Sequence, residues 1–448
     1  MEKKNLTEGS IIGNIATFSL PYMLSYFLQI LYGLADLFII GRYCGVESTA
    51  AVSNGAQVMY MFTVVIIGLA MGTTVRIARA VGANDSKRIS LVIGNTVTMF
   101  LSLAVVLSMV LLLFRTGIVR LMDTPSAAVA EAESYLTVCF IGIPFIVSYN
   151  IIASIFRGLG DSKSPMYFIS VACAVNIALD YLFIGVCGFG AVGAALGTTL
   201  SQMTSVFIAL FAIRRRRAEI CVSGGDFKPR RNIVADILKI GVPVALQDGF
   251  IQIAFIAITV IANGRGLTDA AAVGIVEKSI GLLFIVPSAM MSTVSAVSAQ
   301  NIGAGKMPRA VCTLKYAICI CVGFGIAAAT VFQFIPERAV ALFTDDAGVI
   351  AAGGEYLQSY VWDCIFAGVH FCFSGFFTAC GYSAISFCHN FLSIVCARIP
   401  LSFIASQMYP DTLYPMGLAC PSGSLVSVII CIAVYSWMNG HGKFVSLK

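Results

Sequence analysis

Val81-Gly82-Ala83-Asn84-Asp85-Ser86-Lys87-Arg88 returns later in the chain as Ile302-Gly303-Ala304-Gly305-Lys306-Met307-Pro308-Arg309, about 221 residues on. Other pairs recur at the same distance. Tyr135-Leu136 returns as Tyr356-Leu357, and Phe156 with Gly160 returns as Phe377 with Gly381. Pro21 and Pro243 fall in line within one residue. Both copies run through long apolar stretches, so the repeated unit is one that spans a membrane. A duplicated apolar half is a common ground plan of secondary transporters, because two similar bundles can rock about a site lying between them.

Composition sets the class. The chain has 448 residues, 58% hydrophobic and 11% charged, with a mean hydropathy of +0.91. Soluble chains carry roughly a quarter charged residues. A membrane span needs about 20 mostly apolar residues. Twelve stretches meet that need, near residues 11–40, 50–75, 89–114, 132–156, 164–187, 190–213, 233–262, 270–298, 309–335, 350–380, 384–408 and 413–438. The expected fold is therefore an all-α integral membrane protein with twelve transmembrane helices in two halves, residues 1–213 and 233–448, joined by a basic linker at 214–232.

Lys and Arg concentrate on alternate loops. One side collects Lys3, Lys4, Arg76, Arg79, Lys87, Arg88, the run Arg214 to Arg217, Lys228, Arg230, Arg231, Lys306, Arg309, Lys443 and Lys448. The other carries acids: Asp123, Glu131 and Glu133 against Arg115 and Arg120, then Glu337, Asp345, Asp346 and Glu355 against Arg338. By the positive-inside rule the basic side is cytoplasmic, and both termini with it. The four-arginine run reads as a topological anchor and not as a nucleic-acid patch. No cleavable leader is expected, since the first apolar segment is long and lacks a small-residue cleavage site. The expected location is the cell membrane.

Several function classes are excluded by what is missing. There is no GxxxxGK[ST] loop and no HExxH, so neither P-loop nucleotide hydrolysis nor zincin chemistry is available. The 15 cysteines include no CxxC pair and read as small apolar residues. His370, His389 and His441 lack ligand spacing and read as packing or interfacial residues. Gly68 with Gly72, and Gly193 with Gly197, have the small-residue spacing of helix packing. No enzyme activity, cofactor or structural metal is expected.

Charges inside spans are costly and mark function. Asp36 stands in the first span and Asp180 in the fifth; if both spans run outward, the two carboxylates share one depth. Asn176 precedes Asp180 by four residues, on the same helical face. Thr198 lies at a similar depth in the returning sixth span. Two carboxylates withdrawn from water can take up a proton. With an amide and a hydroxyl beside them, their oxygens also suit a hard cation such as Na+. The second half has a different inventory, with Asp248, Glu277, Lys278, Asp363 and Arg398 inside spans. Asp248, Glu277 and Asp363 make a candidate second site, with Asp248 and Asp363 expected close to mid-span; Glu277-Lys278 and Arg398 are expected to neutralise charges across helices. Gln29, Asn54, Gln57, Asn150 and Gln202 add polar groups for a water-filled cleft. Pro21 removes a backbone hydrogen bond fifteen residues before Asp36 and should bend the first span.

At these residues the chain resembles the multidrug and toxic compound extrusion (MATE) family, over essentially its whole length. The resemblance rests on Pro21 with Ala35-Asp36, Val81-Gly82-Ala83-Asn84 with Arg88, and Arg157-Gly158-Leu159-Gly160-Asp161 with Pro165. It continues through Asn176 and Asp180, Gly193-Ala194-Ala195 and Thr198, Gly241-Val242-Pro243, and Gln300-Asn301-Ile302-Gly303-Ala304-Gly305. It implies two six-helix lobes related by a pseudo-twofold axis, with alternating access. It implies export of amphipathic, often cationic organic molecules, driven by inward flow of H+ or Na+. It also implies that Asp36, Asn176, Asp180 and Thr198 form the ion-coupling site, with Asp248 a candidate where branches use an acid in the seventh helix. A monomer in contact with membrane lipid, small organic substrates and no nucleic-acid partner complete the expectation. The chain departs from the pattern at Thr378-Ala379-Cys380-Gly381-Tyr382, the second-half counterpart of Arg157 to Asp161, which lacks its charge. A flippase for lipid-linked sugars would call for a more basic cleft than the acidic first half offers.

Overall fold

Long apolar runs fold as helices in a bilayer because only a helix or a closed barrel satisfies its own backbone there. A computed structural model of the chain describes residues 6–122, 124–215 and 222–444. Lys3, Lys4, Asp123, Arg216, Arg217, Glu219 and Lys448 lie outside the described residues. Among the described residues there are helices and turns and no strand, and twelve helices are long and apolar enough to cross a membrane.

The first six spans comprise α1 (Ile11–Tyr43), α2 (Val46–Gly82), α3 (Ser86–Leu121), α4 (Val129–Gly158), α5 (Lys163–Asp180) and α6 (Gly190–Arg215). The second half has α7 (Arg231–Asn263), α8 (Leu267–Leu283), α9 (Ile285–Gly303), α10 (Met307–Phe334), α11 (Pro336–Val340) and α12 (Ala347–Tyr360). It ends with α13 (Asp363–Cys380), α14 (Ser383–Ser393), α15 (Ile399–Met408) and α16 (Tyr414–Gly440). The eighth span is α8 and α9 in series, interrupted at Phe284. The stretch 350–380, expected as one span, is broken at Val361-Trp362, and the spanning helix is α13 alone.

Contacts divide the chain into two units. One is formed by Leu20–Leu238, the other by Asn5–Ser19 with Lys239–Lys448. In the first, α4 packs against α2, α3 and α6; in the second, α13 packs against α9, α10 and α16. These two are the most buried spans of their units, and each is the core about which its bundle is laid.

The repeated stretch, residues 81–88 and 302–309, contains a turn in both copies. It closes α2 and α9, and it needs one residue in the left-handed region: Asn84 at φ +55° in the first copy and Gly305 at φ +72° in the second. Glycine and asparagine are the residues that take that conformation most readily. The arginine that ends each copy then ties down a piece of chain. Arg88 Nη2 reaches Asp236 Oδ2 at 3.4 Å, beside an Arg76 Nη2–Asp236 Oδ1 pair at 3.1 Å. Arg309 Nη2 donates to the carbonyls of Glu8 and Gly9, both at 2.8 Å. Repetition at this point is thus a repeated local job.

Candidate functional site

The first unit gathers the four residues expected to act together. Asn176 and Asp180 lie one helical turn apart on α5 and are both buried. Asp36 comes from α1 and is 6% exposed, against 0% for Asp180. Thr198 on α6 donates its hydroxyl to Asp36 Oδ2 at 3.2 Å. Asp180 and Asn176 flank the same Asp36 carboxyl. No hydrogen bond reaches Asp36 Oδ1, either oxygen of Asp180, or either polar atom of the Asn176 amide. Tyr32, Tyr135, Cys139 and Cys173 stand around Asp36. The result is a buried cluster of oxygen ligands with one hydroxyl donor in place. An arrangement of this kind fits a proton shared between carboxyls or a hard monovalent cation.

Sequence reading missed the residue that makes room for this cluster. A Cβ on Gly197 would fall on Asp180 Oδ1 and stand 3.1 Å from its Cγ and 3.6 Å from Asn176 Nδ2. Gly197 lets α6 pass against the carboxylate where any other residue would displace it. The Gly193-to-Gly197 spacing signals close helix approach, and Gly193 does meet the backbone of Phe183. Nothing in the spacing says that the second glycine faces a carboxylate. Directly after Asp180 the helix widens into a π-helical stretch, Tyr181–Val186, a distortion frequent at functional sites.

The second unit brings together part of what the sequence suggested. Asp363 is not close to mid-span: the break at Val361-Trp362 makes it the first residue of α13, fully buried, with Arg398 and Ser424 nearby. Glu277 on α8 accepts from Thr259 Oγ1 at 3.3 Å and also faces Arg398. Arg398 closes a π-helical stretch, Ile394–Arg398. Its Nη2 donates to the Tyr360 hydroxyl at 2.5 Å, and its guanidinium lies over the Phe255 ring at 5.0 Å from the centroid. Lys278 is exposed, so Arg398 and not Lys278 is the cation that serves Glu277. Among the described residues no hydrogen bond or ion pair joins Asp248, on α7, to Glu277 or Asp363. The histidines His370 and His389 meet edge to face at 5.8 Å, and His389 is held between Ser374 Oγ at 2.9 Å and Ser427 Oγ at 3.2 Å.

The family profile described as MatE matches the chain twice, over residues 21–182 and 243–404. The chain belongs to the MatE family. Among curated proteins of Bacillus subtilis (strain 168), the probable multidrug resistance protein YpnP is 27% identical to this MatE chain over 447 residues, covering 100% of it and 99% of the relative. The probable multidrug resistance protein YoeA of the same organism is 25% identical over 439 residues, with 96% and 94% covered. A solved structure of a multidrug resistance MATE family transporter of the MOP superfamily, in an outward-facing conformation, superposes with a TM-score of 0.91 at 25% identity. It covers 100% of this chain and 99% of the other.

The remaining MatE motif residues have structural work. Arg157 ends α4 with its guanidinium 4.1 Å from the centroid of the Tyr22 ring. Asp161 Oδ1 accepts from the backbone N–H groups of Lys163 and Ser164, both at 3.0 Å, and so caps α5, the helix that carries Asn176 and Asp180. Pro21 sits within α1, which runs on as helix to either side of it; Ser25 Oγ donates to the Pro21 carbonyl at 2.9 Å. Every described cysteine is a free thiol.

Proposed function

We propose that this MatE protein exports amphipathic, often cationic organic compounds in exchange for H+ or Na+, with Asp36, Asn176, Asp180 and Thr198 as the ion-coupling residues. The observation that carries the reading is the state of the Asp36–Asp180 pair. Two carboxyls stand side by side and buried, with a single hydroxyl donor and, among the described residues, no cationic side chain paired with them. Leaving both charged and bare would cost several kcal/mol of desolvation on the scale of about 2.5–3.5 kcal/mol per charge at a span centre. An entering proton or Na+ removes that cost, and its release restores it. A site whose stability depends on the ion is one whose conformation the ion can bias.

The names of the Bacillus subtilis relatives support drug export in general. In this reading residues 1–213 and 233–448 act as two lobes joined by the basic linker 214–232 and give alternating access. The protein sits as a monomer in the cell membrane with both termini cytoplasmic, among lipid, and uses no cofactor besides the coupling ion. Acids attract the cationic part of a substrate while aromatic faces take its apolar body.

The test is transport by the purified protein in liposomes, with pH and sodium gradients imposed independently. A fluorescent lipophilic cation should move against its gradient when one of the two ion gradients is present and stop when that gradient is collapsed. Movement indifferent to both gradients would overturn the antiport reading.

A further inference from the structure

We propose that the polar core of the second unit is a site for a small monovalent cation that the chain fills with its own Arg398. The two matched stretches, 21–182 and 243–404, begin and end 222 positions apart, against 221 at the repeated turns. Within one residue, Asn176 therefore falls in line with Arg398, Asp180 with Ser402 and Asp36 with Ile258. Where the first unit presents an amide beside the Asp36 carboxyl, the second presents a guanidinium.

Its surroundings are those of a cation site. Arg398 is 7% exposed, Asp363 0%. Two carboxylates, Glu277 and Asp363, face the guanidinium from α8 and α13. The Tyr360 hydroxyl accepts from it and the Phe255 ring lies beneath it, and an aromatic face attracts a desolvated cation. Neither oxygen of Asp363 nor Oε1 of Glu277 makes a hydrogen bond, and Arg398 Nε has no partner either. The positive charge near both carboxylates is Arg398. A guanidinium is weakly hydrated and stays charged at any relevant pH, so this charge is never released. The second unit consequently takes no cation from solution, and one made without Arg398 would.

The test uses the full-length protein carrying Asp36→Asn and Asp180→Asn, which removes the first unit's carboxyls and separates this inference from the proposed coupling role. Thermal midpoints are read by tryptophan fluorescence in NaCl, KCl or guanidinium chloride against choline chloride at equal ionic strength. With Arg398 present, none of the three cations should raise the midpoint over choline. Adding Arg398→Ala should lower the midpoint by several degrees, and Na+, K+ or guanidinium should restore it saturably. Adding Asp363→Asn should abolish that restoration. A folded Arg398→Ala protein that responds to no cation beyond choline would overturn the proposal. Direct binding of radioactive Na+ to the protein that retains Arg398 decides the matter even where the alanine variant does not fold. Absence of binding supports the built-in cation, and binding that disappears on Asp363→Asn refutes it.

Discussion

In the first unit α5 carries Asn176 and Asp180 to Asp36, and among the described residues the hydrogen bond to the Asp36 carboxyl comes from the Thr198 hydroxyl. In the second unit Arg398 stands within one residue of the related position, with Glu277 and Asp363 nearby and Tyr360 bonded to it. The turns that close α2 and α9 stayed alike, down to the left-handed residue and the terminal arginine, while the polar cores parted. A duplicated scaffold keeps what the backbone needs and is free to vary what the buried charges do. On this view one unit answers to an ion and the other is neutralised from within.

The sharpest way to break that contrast is Asp36→Asn. Asparagine keeps the shape and cannot ionise, so gradient-driven export in liposomes should be abolished at equal folded amount, and Asp180→Asn should do nearly the same. Wild-type rates from either protein would move attention to Glu277 and Asp363. Gly197→Ala comes next. The added Cβ falls on Asp180 Oδ1, and overpacking costs about 1–3 kcal/mol; export should drop steeply, with a lower thermal midpoint. An alanine variant with normal export would show that α6 does not position Asp180.

A smaller effect is expected from Thr198→Ala and Asn176→Ala, which should weaken coupling without abolishing it. The lost Thr198–Asp36 hydrogen bond is worth about 1 kcal/mol, and the check is the ion concentration giving half-maximal export. The smallest concerns stability alone. Asp161→Ala removes the cap of α5 and should cost about 1 kcal/mol in thermal unfolding. Tyr382→Ala, at the uncharged second-half counterpart, should show no such capping loss. Equal losses at both positions would mean that the two turns differ less than their side chains do.

Much of the architecture was legible because apolar length is a property of composition: twelve stretches were expected and twelve helices are long and apolar enough to cross a membrane. Asp36, Asn176, Asp180 and Thr198 were legible for a related reason, since polar groups in apolar spans are few and helical spacing fixes their faces. Three things were hidden. The break at Val361-Trp362 carries no glycine, proline or charge, so 350–380 read as one span. Gly197 meets Asp180 across two helices, a contact that no spacing along one helix encodes. Arg398 was expected to neutralise charge across helices, and it does stand by Glu277; its aromatic company, Phe255 and Tyr360, comes from residues far apart in sequence and was not legible.

The sequence also gave no hint that the two units exchange the beginnings of their first helices. Residues 231–238 open α7 yet count with the first unit, as Asn5–Ser19 count with the second. Arg230 N–H donates to Asn95 Oδ1 at 2.5 Å, Thr98 Oγ1 donates to the Phe227 carbonyl at 2.8 Å, and Arg76 pairs with Asp236. A gene cut within codons 216–221 would therefore not produce two self-sufficient polypeptides. The carboxy-terminal fragment would carry at its head a strap already fitted to the amino-terminal one, and the two, made separately in one cell, would find each other by it.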